Sequence, residues 1–93
     1  MQKSHQGDME KSIKFFYKQI GKNVADARRA KGVTQLELAN LLGYSSPAAI
    51  AQPEIYYKEK HFFSLAQLFK ISQVLEVDIH QLIPADSHSF KNG

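Results

Sequence analysis

Residues 33–54 restrict this chain most, because two short helical patterns with their own start and stop signals follow one another there. Thr34 is followed three residues later by Glu37, the spacing of a capping box, in which a hydroxyl and a carboxylate satisfy free N–H groups at a helix start. Leu36, Ala39 and Leu42, with Leu38 beside them, form one apolar face at helical spacing. Gly43 suits the left-handed position just past a helix end, where a Cβ would clash. Ser46 before Pro47 opens a second helix: the serine oxygen caps free N–H groups, and proline loses nothing at the first helical position.

The two helices and the tight turn at residues 43–46 read together as a helix-turn-helix unit, an arrangement whose second helix enters the DNA major groove. A length of 93 residues allows one small domain, and 43% hydrophobic residues with 11% aromatics supply a thin core. The formal charge of +3 suits nucleic acid without requiring it. The absence of cysteine excludes disulfides and thiolate metal sites and suits a reducing compartment. No apolar run approaches the ~20 residues of a membrane span. Residues 1–10 are polar and lack a signal-peptide core. The expectation is a soluble cytoplasmic protein without a membrane partner.

Taken in order, residues 1–8 read as a disordered leader, with Asp8 capping a helix that begins at Met9. Met9, Ile13, Phe16, Ile20, Val24 and Ala27 recur at steps of three and four, widened by Tyr17 and Ala30. Gly21 inside this pattern marks either a close helix contact or a break. Lys31 and Gly32 end the helix. Helices over 34–42 and 47–52 follow, the second stopped by Pro53. Residues 55–63 form a connection rich in charge and aromatic groups. Ser64 opens a fourth helix with Gln67 as its capping-box partner, and Leu65, Leu68, Phe69, Ile71, Ser72 and Leu75 trace its inner face. Asp78, with Gln81 three residues on, caps a fifth helix that closes the core with Ile79, Leu82 and Ile83 and ends at Pro84. Residues 85–93 read as a flexible tail, so the domain spans 9–84. Five helices and no convincing strand make an all-α fold; the nearest strand candidate, 55–57, is too short to build a sheet.

The run Ile20-Gly21-Lys22-Asn23-Val24, then the run from Ala27 through Gln35, resembles the opening of the Cro and phage-repressor helix-turn-helix family. Glu37-Leu38-Ala39, Leu42-Gly43-Tyr44-Ser45, Ile50 and Glu54 match its core pattern, as do Ser64-Leu65, Leu68, Lys70-Ile71, Leu75, Val77 and Leu82. The likeness covers residues 20–83. It implies a five-helix DNA-binding domain of the phage-repressor type, acting as a homodimer on double-stranded DNA. Small members of this kind repress phage, plasmid or toxin–antitoxin operons. The resemblance puts Gln35 at the start of the second helix, where its amide and nearby N–H groups meet a phosphate. Ser45 and Ser46 fall on the turn into the recognition helix, and Pro47, Ala48 and Gln52 on positions that face base edges. Gln52 alone among these carries a donor–acceptor pair suited to adenine. Lys58 and Lys60 become phosphate candidates in the segment after that helix. Arg28 and Glu54 fall on positions of a semi-buried structural ion pair.

Three features depart from the family pattern: a longer turn into the recognition helix, Pro53 at an apolar core position, and residues 55–61 in place of a glycine turn. They define a competing reading, a protein-interaction module that keeps the fold and uses residues 53–63 to bind a partner such as a toxin. That reading expects an exposed apolar patch around Tyr56, Tyr57 and Phe62, whereas DNA binding expects Gln35, Ser46, Gln52 and several cations on a face free of acids. No enzyme, cofactor or metal is expected: His5, His61, His80 and His88 lack ligand spacing, and there is no glycine-rich phosphate loop or catalytic triad order.

Overall fold

The computed structural model describes residues 2–84, with side chains from Gly7 onward. The tail expected over 85–93 lies outside the described residues, as does Met1. The protein is all-α: α1 (Gln2–Ala30), α2 (Gln35–Leu41), α3 (Ala48–Glu54) and α4 (Leu65–Leu75), with 3₁₀ turns at Tyr57–Glu59 and Ile79–Gln81. Among the described residues there is no strand, and no helix is long and apolar enough to cross a membrane.

α1 has 29 residues, hence a length of ~43 Å at 1.5 Å per residue. It begins at Gln2 rather than Met9, so Asp8 stands inside the helix and does not cap it. Extending an existing helix costs little once a nucleus has formed, and only Gly7 in this stretch opposes it. The helix ends in a Schellman arrangement: Gly32 is left-handed at φ +70°, and the N–H of Val33 reaches the Arg28 carbonyl at 3.0 Å.

Gly21 marks a contact, not a break. A Cβ placed there would lie 2.6 Å from the Pro53 carbonyl oxygen and 2.7 Å from the Glu54 carbonyl carbon. Only glycine lets α1 lie directly on the end of α3. The core gathers around this crossing: Ile20, Val24 and Ala27 from α1, Leu38 and Ala39 from α2, Ile50 from α3, Leu68, Ile71 and Leu75 from α4, with Phe63 and Leu82.

Several expectations need correction. Pro53 does not stop α3; it sits buried in the last turn, and the helix runs on to Glu54. The helix is so short that the lost N–H falls near its end, while the ring fills core space. Leu36, Leu65 and Phe69 are exposed, because each faces away from the side its helix buries. Met9 and Ile13 are also exposed, since the stripe on α1 outruns the body it packs on. The fifth helix is a single 3₁₀ turn, in which Asp78 accepts the N–H of His80 at 2.8 Å and no capping box forms with Gln81.

The connection after α3 is tightly bent. Tyr56, Lys58 and Glu59 all take left-handed φ, between 51° and 54°. Such residues cost on the order of 1–3 kcal/mol each and persist only where packing over-determines them. The segment is held to α1 at both ends: Tyr56 is buried and stacks on Tyr17 at 5.3 Å, Phe62 meets the same ring at 4.7 Å, and the exposed Glu59 pairs with Lys14 at 3.1 Å.

Candidate nucleic-acid interface

Each end of the α2–turn–α3 unit is held by a specific local device. At the start of α2 the capping box closes: the Glu37 N–H donates to Thr34 Oγ1 at 3.0 Å, and the Thr34 N–H donates to Glu37 Oε1 at 2.8 Å. The Thr34 backbone N–H, and after it the Thr34 hydroxyl, hold the Glu37 carboxyl below the usual carboxylate range. At its end a second Schellman arrangement forms, with Gly43 at φ +89° and the Tyr44 N–H bonded to the Ala39 carbonyl at 2.8 Å. Tyr44 then ties the turn to α4, its hydroxyl accepting from Gln67 Nε2 at 2.9 Å. Ser46 Oγ accepts the Ala48 N–H at 3.1 Å and starts α3.

The unit is joined to α1 through one charged cluster. Arg28 grips Glu54 with two bonds, Nε to Oε2 at 2.8 Å and Nη2 to Oε1 at 3.1 Å. Both side chains are under a tenth exposed. Arg28 Nη1 also donates to the Val33 carbonyl at 2.9 Å, and Gln35 Nε2 donates to Glu54 Oε1 at 2.8 Å. The last turn of α1, the first turn of α2 and the end of α3 therefore share one network. Among the described residues no buried side-chain nitrogen or oxygen lacks a partner, so the buried charges are satisfied.

The sequence-derived site residues fall into three groups. Ser45, Ser46 and Pro47 are exposed on the turn, and Ala48 and Gln52 are half-buried on α3. Gln35 is half-buried with its amide nitrogen committed to Glu54. Lys58 and Lys60 are exposed on the bent connection, a separate element, with Lys58 Nζ 5.4 Å from the Tyr57 ring centre. The one acid of α3, Glu54, is buried against Arg28, so that helix presents no negative charge outward.

Sequence reasoning missed three supporting contacts. The Gln35–Glu54 and Gln67–Tyr44 bonds join residues far apart in the chain, and no local pattern announces them. Asn23 Nδ2, which caps the Leu82 carbonyl at 3.2 Å and ties the last turn to α1, had a faint signal as a polar residue beside the apolar stripe. Comparison of the chain with protein-family models, with curated proteins and with solved structures finds no match.

Proposed function

We propose that this protein is a sequence-specific double-stranded DNA-binding regulator, a repressor in which α2 and α3 form a helix-turn-helix. The observation that carries the reading is the mounting of α3. It is short, outwardly uncharged and led in by exposed Ser45 and Ser46, and a buried bidentate ion pair pins its far end to α1. A reading helix needs this: its position must be rigid to well under the spacing of base edges, while its outward face stays free.

In the mechanism, Ser45, Ser46 and the N-terminal N–H groups of α2 meet phosphates and set the register. Gln52 pairs with adenine through its amide, and Ala48 meets a thymine methyl. Lys58 and Lys60 add phosphate contacts and release counterions. Gln35 acts mainly by holding Glu54, which makes it a positioning residue. Two copies would read half-sites ~34 Å apart on a palindrome and repress by blocking polymerase.

The competing partner-binding reading has less support. Tyr56, the centre of its expected patch, is buried, which leaves Tyr57 and Phe62 as partly exposed rings beside it rather than one continuous patch around it. Titration of a labelled duplex at several salt concentrations tests the proposal. Binding should weaken steeply with salt, and Lys58→Ala and Lys60→Ala should each lower the log–log slope by about 1. Absence of binding at low salt would refute it.

A further inference from the structure

The apolar stripe on α1 divides in two. Its C-terminal part, Phe16, Tyr17 and Ile20, forms one wall of a groove of about 200 Å³, closed by Phe62, Leu65 and Ile83. Its N-terminal part, Met9 and Ile13, continues the same face as a ridge, 64% and 45% exposed. Leu65 and Phe69, one turn apart on α4, extend the apolar surface beyond the groove at 69% and 56% exposure.

The geometry points to a second copy of this chain as the occupant of this face. Ridge and groove lie in sequence along one helix. Two copies of α1 crossing antiparallel about a two-fold axis near residues 14–15 therefore set each ridge against the other's groove: Met9 over the other copy's Ile20, and Ile13 over the other copy's Phe16. This isologous closure leaves no open end for further addition.

The area fits. With large side chains of ~150–250 Å² each, the exposed parts of Met9, Ile13, Phe62, Leu65 and Phe69 amount to roughly 500 Å² per copy. Two copies then cover roughly 1,000 Å² of apolar surface, the size at which an interface becomes specific. Such a patch on one copy alone would sit at the upper limit of what monomers expose. The inference deepens the dimeric reading above and rests on it for its purpose, but the contact itself needs no DNA.

Analytical ultracentrifugation of the full chain, without DNA, tests it. The wild type should sediment as a dimer, and Ile13→Asp and Leu65→Asp should each weaken the association at least ~100-fold. Both positions are exposed, so helix content by circular dichroism should not change. A monomeric wild type overturns the inference. So does a dimer untouched by both charge substitutions, or a monomer that dimerises only after removal of residues 85–93, which would assign the groove to that segment. Gln52→Ala should leave the dimer intact, so loss of DNA reading and loss of pairing are separable.

Discussion

Arg28 and Glu54 tie the end of α1 to the start of α2 and the end of α3 through one buried ion pair. Desolvating two charges is expensive, and the pair holds because four hydrogen bonds converge on it, including those to Val33 and Gln35. Arg28→Met would leave Glu54 buried without a counter-charge and should cost about 3–5 kcal/mol in urea unfolding. Adding Glu54→Leu should recover most of that loss, because the stranded charge is then gone. Gly21 is the other decisive residue. Gly21→Ala gains roughly 1 kcal/mol of helix propensity, but drives a methyl group into the backbone of Pro53 and Glu54, which cannot yield as a side chain would. The net effect should be destabilising by roughly 1–3 kcal/mol, visible as a fall in Tm of several degrees.

The elements divide by how local their causes are. Thr34 with Glu37, Ser64 with Gln67, and Gly43 after Leu42 were legible in the sequence because each device closes within four residues. The ends of α1 and α3 were not. Asp8 and Pro53 carry local stop or start signals that continuation of an existing helix and core packing override. The turn at Tyr56–Glu59 was illegible for the same reason: its contacts to α1, Tyr56 stacked on Tyr17 and Glu59 paired with Lys14, lie far away in the chain. At the candidate site, the residue types and their order along α3 were readable, while the diversion of Gln35 to Glu54 needed the fold.

The start of α2 also makes a pH prediction. The Glu37 carboxyl is held below the usual range by the Thr34 N–H, so its contribution to α2 is complete above the ordinary carboxylate pKa. It is lost as pH falls through the lowered value. NMR titration should show the Glu37 carboxyl titrating below the ordinary glutamate range, with the Thr34 amide shifting in step. Thr34→Ala keeps the backbone N–H but removes the hydroxyl, so it should leave the Glu37 carboxyl still lowered, though less so, and cost about 1 kcal/mol.

At the scale of the whole molecule, the α2–α3 unit proposed to read DNA is pinned to the C-terminal end of α1, and an apolar ridge and groove lie along its N-terminal part and middle. On the proposed function, the long first helix connects the two tasks that a repressor dimer must combine, pairing and reading. Pairing without reading would describe a scaffold, and reading without pairing would give only weak half-site affinity. The direct test is selection of the full-length protein against a pool of random duplexes at two salt concentrations, followed by sequencing, with Gln52→Ala in parallel. The wild type should enrich a palindrome whose half-sites lie one helical turn apart, and Gln52→Ala should relax preference at one position of each half-site by a factor corresponding to about 1–3 kcal/mol. Salt-sensitive binding with no enriched sequence, or uniform weakening by Gln52→Ala on every sequence, would contradict the assignment of α3 as the reading helix.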